Sequence, residues 1–229
     1  MKRQTTKTIL DIGCGVGGDI SKYIRCGATY VLGVDIDKDS ITEAKRRLQG
    51  VRVPVNVKFH FHAVKDTAKD LTAILLPRTI GVISCQFAMH FVWDQFTPDF
   101  FAVLRRSMVQ DGVFVGTILS GDMLEKAMDN NVVKRTTHFA AHKDGNYVQF
   151  QLLGSTRFFD KQPSREPIMY SEDVIGRFLE NGFRLVYWRN FRDYAPPDYP
   201  KDLLEVSSLY CCFMFKLQPC TDRATQKHA

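Results

Sequence analysis

The sequence predicts an α/β fold in which a doubly wound, mostly parallel sheet carries a small inserted subdomain. Three observations favour this fold. Short apolar runs alternate with helical segments from Thr8 to Leu119, and a glycine-rich turn directly follows the first run. The chain has 229 residues, of which 45% are hydrophobic, so it can bury a full core. Strands that alternate with helices of this length form βαβ units with parallel strands.

Each element of the alternating part has a local signal. Five apolar runs predict strands at Thr8–Ile12, Tyr30–Asp35, Val55–His62, Ile80–Gln86 and Val113–Leu119. Between these runs, helical periodicity predicts helices that begin at Asp19, cover Lys38–Gln49, cover Thr67–Leu76, and run from Pro98 to about Val109. Thr97 before Pro98 is a typical helix start, and Asp111-Gly112 predicts a turn into the fifth strand.

The alternation stops after Gly121, which predicts an insertion at about residues 121–165. Within it we expect a helix near Met123–Asn131 and a hairpin over Val132–Phe159. Regular order then resumes with a helix after Ser171 and strands at Phe183–Trp188 and Leu209–Leu217. The whole chain, 1–229, is therefore predicted to be a single domain.

Composition restricts the possible partners and compartments. The formal net charge of +6 favours a polyanionic partner such as RNA. The six cysteines form no C-x-x-C pair and lie mostly in apolar runs, which is typical of a reducing, intracellular compartment. His60 and His62 have no third ligand nearby in sequence, so we expect no metal site. We find no signal-peptide pattern and no apolar run long enough for a membrane span.

The segment from Ile9 to Asp19 is the most informative. Gly13, Gly15 and Gly18 form a G-x-G-x-x-G pattern that lets a ligand approach the backbone closely, and this pattern alone also fits NAD. Asp11 precedes the loop, and Asp35 ends the second predicted strand. A pyrophosphate prefers amides without nearby anions, whereas S-adenosylmethionine has an ammonium, a sulfonium and two ribose hydroxyls. The acidic residues therefore favour S-adenosylmethionine.

A second candidate segment, Ser84–Phe91, follows the fourth predicted strand. In a doubly wound sheet the carboxyl ends of the strands border the ligand crevice. His90 is flanked by Phe87 and Phe91, and these rings would suit a flat base.

Together these segments resemble the mRNA cap (guanine-N7) methyltransferases. The similarity lies in Asp11–Asp19, in Ser84–Phe91, in Glu166 within Arg165–Tyr170, and in Tyr210. Their order covers the chain from Thr8 to Leu217. The resemblance suggests the methyltransferase domain of a mRNA-capping enzyme from a large DNA virus, with a fold of the class I S-adenosylmethionine-dependent methyltransferase type.

The resemblance implies a role for each matching residue. The cofactor-binding residues would be Asp11, Gly13, Gly15, Asp19, Asp35 and Gln86. The residues that hold the cap guanine would be Phe87, His90, Phe91, Glu166 and Tyr210. No side chain would act as acid or base, because guanine N7 attacks the methyl group in line; His90 and Glu166 would position the base. The partners would be the 5′ end of capped mRNA and covalently linked triphosphatase and guanylyltransferase domains, in the cytoplasm, in a viral factory or in the virion.

The chain departs from the family pattern at several positions. Phe91 replaces a tyrosine, Val16 replaces a lysine expected near the cap phosphates, and Val64 occupies the place of a carboxylate near the adenine. A lysine expected before the first strand is not recognisable. Two alternatives therefore stay open: a catalytically silent methyltransferase-fold subunit that stimulates a partner or binds RNA, and a methyltransferase that acts on another RNA base.

Overall fold

The structure is a computed structural model that describes residues 7–65, 67–129, 131–153 and 163–219. The described residues form one seven-stranded sheet and one four-stranded sheet. None of the helices among them is long and apolar enough to cross a membrane.

The first part of the chain follows the predicted alternation. Its strands are β1 (Thr8–Ile12), β2 (Tyr30–Asp35), β3 (Lys58–Ala63), β4 (Ile80–Gln86) and β5 (Met108–Leu119). Its helices are α1 (Ile20–Arg25), α2 (Lys38–Gln49), α3 (Thr67–Ile74), α4 (Met89–Val92) and α5 (Pro98–Ser107). Helix α5 begins as predicted, since the Thr97 side chain accepts a hydrogen bond from the amide of Phe100.

The second part adds a small sheet and completes the large one. The helices are α6 (Gly121–Met128), α7 (Ser171–Glu180) and α8 (Lys201–Ser207). The strands are β6 (Val133–Arg135), β7 (Phe139–Asp144), β8 (Tyr147–Leu152), β9 (Ser164–Pro167), β10 (Phe183–Asn190) and β11 (Tyr210–Leu217). Short 3₁₀ turns lie at Trp93–Gln95 and Phe191–Tyr194.

The strand order of the large sheet is β10-β11-β5-β4-β1-β2-β3. Strand β11 runs antiparallel to β10 and β5, while the remaining pairs are parallel. The predicted doubly wound, mostly parallel sheet is therefore confirmed. The order reverses between β1 and β4, so the loops after these strands diverge to opposite faces and leave a crevice between them.

Two predicted boundaries were wrong for local reasons. Strand β3 begins at Lys58, because a turn from the carbonyl of Pro54 to the amide of Val57 comes first and leaves Val55 fully exposed. The predicted turn at Asp111-Gly112 lies inside β5. The pairing register shifts between β4 and β5 there, and Asp111 adopts a φ of 66°, so the strand accommodates the turn as an irregularity.

The insertion is more elaborate than the predicted hairpin. Strands β6, β7, β8 and β9 pair antiparallel in sequence order, and only β7 and β8 form the tight hairpin, with Gly145 at φ 58°. Residues 154–162, which include the end of the predicted hairpin, lie outside the described residues. Apolar side chains of this sheet and of α6 form a second core around Phe139.

The main core is rich in phenylalanine. Phe178 on α7 is completely buried and stacks on Phe215 of β11, with ring centroids 4.2 Å apart. Its ring also meets Phe114 at 4.9 Å and Phe101 at 5.0 Å. This cluster holds α5 and α7 against β5 and β11, and so supports the antiparallel edge of the sheet.

Replacing Phe178 with alanine should lower the free energy of unfolding by about 3–5 kcal/mol, because a large ring is lost from a closely packed site. The neighbouring Leu179 on the same helix is 48% exposed, and Leu179→Ala should change stability by less than about 0.5 kcal/mol. Urea denaturation followed by circular dichroism measures both. Equal midpoints for the two variants would contradict this account of the core.

Candidate active site

The glycine loop after β1 packs against the loop after β4. Gly13 has a φ of 71°, and a Cβ added there would lie 2.2 Å from the Cβ of Ala88. Only glycine allows this approach. The amides of Gly13 and Cys14 both donate to the carbonyl of Val34, so the loop is also fastened to the end of β2.

Asp35, at the end of β2, braces the loop from the other side. Its Oδ2 accepts a hydrogen bond of 2.8 Å from the amide of Gly15, and its Oδ1 accepts one of 3.0 Å from the amide of Asp37. A carboxylate has about four acceptor positions, so Asp35 keeps capacity for ligand hydroxyls. Its predicted role in cofactor binding stays a prediction.

A buried polar group lies beneath the loop. The Tyr23 hydroxyl of α1 donates to Ser84 Oγ over 3.1 Å, and Gln86 Nε2 donates to the same oxygen over 3.1 Å. The same hydroxyl also interacts with the Asp11 carboxyl, so Ser84 and Asp11 are alternative acceptors for its single proton. Burial raises the pKa of Asp11 to about 8, although the Tyr23 hydrogen bond opposes the rise. Asp11 and Gln86, which were both predicted for the cofactor site, are thus joined through Tyr23 and Ser84.

Asp19 lies at the start of α1 and makes no side-chain cap hydrogen bond. Its carboxylate pairs instead with Lys22, at 2.5 Å between Oδ1 and Nζ. A cofactor that binds Asp19, as predicted, would therefore replace Lys22 in an ion pair that is open to solvent.

A cavity of about 160 Å³ lies between the two loops. Its lining includes Gly13, Val34, Asp35, Val64 and Phe91. Phe91 is 66% exposed and faces this cavity, on the side of Asp35. The resemblance predicts a guanine contact for Phe91, and its ring also lines the cavity next to Asp35, a predicted cofactor residue.

His90 and Glu166 form a buried pair at the centre of the crevice. They are 9% and 7% exposed, with 3.4 Å between His90 Nε2 and Glu166 Oε2. Burial lowers the pKa of His90 to about 4 and raises the pKa of the Glu166 carboxyl. His90 is therefore neutral near pH 7, and its Nδ1 has no hydrogen-bond partner among the described residues.

Glu166 lies on a strand of the small sheet. It belongs to β9, where it pairs with Val148 of β8, and the Ser164 hydroxyl donates to its Oε1. The small sheet is what carries this carboxylate over the crevice. The sequence around Glu166 gives no local sign of its burial, because the residues that cover it lie on β8 and α4.

Three aromatic rings meet beside this pair. Phe87 lies 5.4 Å from Tyr210 and 6.0 Å from Phe191, both edge to face, and Phe191 lies 6.1 Å from Tyr210. Phe87 adopts a φ of 52°, held by hydrogen bonds from its amide to the carbonyl and hydroxyl of Thr117. A non-glycine residue in this region is strained, which is common at functional sites.

The structure thus brings Phe87, His90, Glu166 and Tyr210 together, and the Phe91 ring packs on His90 with 4.0 Å between the ring centroids. Sequence reasoning missed Tyr23 and Phe191. Tyr23 lies four residues after Asp19, on the same helical face, which was a usable signal. Phe191 had none, since it approaches Phe87 from a turn about a hundred residues away. The described residues contain no group of three or more histidine, cysteine or acidic side chains that could hold a metal.

Comparison with known proteins decides the family. Residues 1–152 match the model of the mRNA (guanine-N(7))-methyltransferase domain. The chain belongs to this family. The similarity first read from the glycine loop and from Ser84–Phe91 is confirmed.

Curated members of the family include the mRNA cap guanine-N(7) methyltransferase of Schizosaccharomyces pombe, 29% identical over 122 residues, or 52% of this chain and 33% of the relative. The Caenorhabditis briggsae enzyme is 32% identical over 127 residues, or 53% and 34%. Methyltransferase 1 of Oryza sativa subsp. japonica is 29% identical over 171 residues, or 69% and 43%. The chain spans about a third of the first two relatives.

Solved structures agree on the fold. A putative S-adenosylmethionine-dependent methyltransferase of Listeria monocytogenes superimposes with a TM-score of 0.61 at 18% identity, covering 94% of this chain and 91% of its own. The S-adenosylmethionine-bound amino pentose methyltransferase CalS10 of Micromonospora echinaspora gives 0.57 at 14% identity, with 94% and 85% coverage. The chain therefore has the class I methyltransferase fold.

The buried carboxyl of Asp11 should make stability fall with rising pH. Its pKa of about 8 in the folded protein exceeds the value of 3.8 for a free side chain. Between these values the folded state holds a proton that the unfolded state has lost. The stability contributed by Asp11 is therefore complete below about pH 4 and is lost as the pH rises through 8, by at most about 1.4 kcal/mol per pH unit.

Urea denaturation of the cofactor-free protein between pH 5 and 8 checks this, with Asp11→Asn beside the wild type. The advantage of the asparagine variant should grow with pH. Asp37→Asn is the control, because hydrogen bonds from Ser40 and Asp39 lower the pKa of the exposed Asp37 carboxyl below 3.8, so its contribution to stability stays constant between pH 5 and 8. Parallel pH curves for Asp11→Asn and the wild type would refute the prediction.

Proposed function

We propose that this chain transfers a methyl group from S-adenosylmethionine to N7 of the guanine cap of mRNA, converting GpppN to m7GpppN. The observation that carries the proposal is the buried His90–Glu166 pair beside the rings of Phe87 and Tyr210. A flat base needs stacking surfaces and hydrogen-bonding groups in one place. The crevice of this family member combines stacking rings and hydrogen-bonding groups next to the glycine loop.

The residues around the glycine loop fit S-adenosylmethionine. A Cβ added at Gly15 would meet nothing within 4 Å, so its backbone faces open space. The cavity beside it has apolar walls from Val34 and Val64 and a carboxylate from Asp35, which suit an adenosine. Asp19 supplies a carboxylate for the ammonium, and Asp11, next to Gln86, supplies a second one once it gives up the proton that it holds in the free protein. When bound, S-adenosylmethionine supplies a methyl group that its sulfonium activates.

The chain has to orient the base and exclude water. Guanine N7 carries a free lone pair, so no general base is required, and alignment supplies the rate enhancement. The Glu166 carboxylate can accept hydrogen bonds from the donor edge of guanine. With a proton on Nε2, which faces Glu166, neutral His90 presents Nδ1 as a further acceptor. Methylation makes the guanine cationic, and a nearby carboxylate favours that product.

A second candidate function is a catalytically silent subunit that binds RNA or stimulates a partner. Val16 in place of a phosphate-binding lysine and Phe91 in place of a tyrosine favour it. Methylation of another RNA base is a further alternative, since the glycine loop does not choose the acceptor. The intact acidic loop and the buried His90–Glu166 pair favour catalysis at the cap.

Methyl transfer from labelled S-adenosylmethionine to GpppA and to uncapped RNA tests the proposal. We expect product at guanine N7 of the capped substrate alone. His90→Ala and Glu166→Gln should each lower kcat/KM about 100-fold, since each removes a buried group that meets the base, while cofactor affinity stays within about twofold. Glu180→Gln, at the exposed end of α7, is the control. Cofactor binding without transfer to capped RNA would support the silent subunit instead.

A further prediction concerns Tyr23. Removing its hydroxyl in Tyr23→Phe leaves the buried Asp11 carboxyl without this partner and leaves Ser84 with Gln86 as its donor. The Kd for S-adenosylmethionine should rise about tenfold, in line with the loss of one buried hydrogen bond. Calorimetric titration measures this. Tyr30→Phe is the control, because the Tyr30 ring stacks on His60 at the other end of the sheet. Similar affinities for both variants would rule out this role.

We also propose that the parent polypeptide carries triphosphatase and guanylyltransferase domains, as in the capping enzyme of a large DNA virus that works in the cytoplasm, in a viral factory or in the virion. Those two reactions produce the GpppN substrate of this methyl transfer. The free cysteines Cys14, Cys26, Cys85, Cys211 and Cys212 suit a reducing compartment. The sequence of the parent gene and fluorescence microscopy of the tagged protein test both points. A parent gene that encodes neither domain would contradict the proposal.

A further inference from the structure

The 3₁₀ turn Phe191–Tyr194 borders the rings of the proposed guanine site. Phe191 lies 6.0 Å from Phe87 and 6.1 Å from Tyr210, measured between ring centroids. The turn follows β10, which is parallel to β5, so it lies at the carboxyl edge of the sheet. A nucleotide chain that leaves the guanine site along the carboxyl edge towards β10 therefore passes over the turn.

Hydrogen bonds of the Asn190 side chain connect the turn to Tyr210. Its Nδ2 donates to the carbonyl of Ser208 over 2.8 Å and to the carbonyl of Tyr210 over 3.1 Å. Its Oδ1 accepts a hydrogen bond of 2.8 Å from the amide of Arg192. One side chain therefore holds the backbone of the turn to the residue that carries the Tyr210 ring, and the position of Phe191 beside that ring is fixed.

Tyr194 presents a second ring on the same turn. In a 3₁₀ helix, side chains three residues apart lie on one face and about 6 Å apart along the axis. Tyr194 is 54% exposed, yet Cys212 Sγ contacts its hydroxyl at 3.8 Å and the Arg189 charge interacts with it. An exposed ring that is held at its far end offers a fixed stacking surface.

The charges around the two rings are mainly positive. Arg189 and Arg192 are both exposed. The Arg189 guanidinium lies 5.9 Å from the centre of the Tyr187 ring and interacts electrostatically with the Tyr194 hydroxyl. Arg192 and Asp193 each point to a different side of the 3₁₀ turn from Phe191 and Tyr194, since each turn contains three residues, so the Asp193 carboxylate also points away from the Arg192 guanidinium. Rings alternating with arginines suit single-stranded nucleic acid, because the bases stack while the phosphates meet the guanidinium groups.

We propose that Arg189, Phe191, Arg192 and Tyr194, here called the RNA ledge, bind the first transcribed nucleotides of the capped RNA. This inference rests on the proposed function, since it concerns the RNA that follows the methylated guanine. The ledge begins at the guanine rings and continues outward in the order in which a chain leaving the cap would meet it. It also supplies positive charge that Val16 does not supply from the glycine loop.

The test compares KM for GpppA with KM for a capped RNA of ten nucleotides. For the wild type we expect a KM about tenfold lower for the longer substrate, from stacking and phosphate contacts. Arg189→Ala/Arg192→Ala should remove most of that preference while the KM for GpppA changes less than about twofold. It should also lower the slope of log KM against log salt by about 1. Tyr194→Ala should lose part of the preference, and Tyr194→Phe should retain it.

The matched control is Arg184→Ala/Arg106→Ala, which removes two exposed arginines from the opposite edge of the sheet, one of them on β10 itself. Loss of preference in the control to the same degree would show a general effect of charge and overturn the ledge. Methylation of GpppA and of the longer RNA with equal KM by the wild type would overturn the ledge alone. Absence of transfer to either substrate would instead overturn the proposed function, and the ledge with it.

Discussion

The close contact between Gly13 and Ala88 is the constraint on which the site depends. It joins the first loop of one half of the sheet to the loop after β4 at the point where the strand order reverses. A Cβ at position 13 would lie 2.2 Å from the Cβ of Ala88, so any other residue would force the loops apart. Such a separation would move the glycine loop away from His90, which lies two residues after Ala88. It would also widen the cavity between the two loops. The spacing of the two proposed subsites is thus set by one missing side-chain atom.

A second consequence of the fold is that the two subsites rest on different supports. The glycine loop, Asp35 and the Tyr23–Ser84 link belong to the parallel part of the sheet. Glu166 comes from the small antiparallel sheet, and that sheet has its own apolar core around Phe139. Tyr210 opens β11, which the phenylalanine cluster around Phe178 holds against β5. Of the groups proposed to bind the base, Glu166 and Tyr210 therefore come from the parts of the chain that follow the βαβ units, whereas Phe87 and His90 come from the loop after β4.

This division explains how far the sequence alone could predict the structure. Apolar runs and glycine turns are local signals, and they identified the loops after β1 and β4 and placed the parallel strands within about three residues, except that β5 begins at Met108, five residues before the predicted Val113. The burial of Glu166 depends on pairing with Val148 of β8 and on contact with α4, which no local pattern encodes. The rings of Phe191 and Tyr210 meet Phe87 only through long-range packing. The Asp111 irregularity was misread because its residues are those of an ordinary turn.

The His90–Glu166 pair shows why burial matters more than proximity here. An ion pair would satisfy both groups, but burial lowers the pKa of His90 to about 4, so the histidine is neutral and the carboxyl faces it without a full counter-charge. A buried carboxylate without a cation is unfavourable, as the raised pKa of Glu166 indicates. Under the proposed reaction the missing positive charge appears on the guanine as the methyl group is transferred. The attraction is then strongest after the chemical step begins, so it lowers the barrier and not merely the energy of the bound substrate.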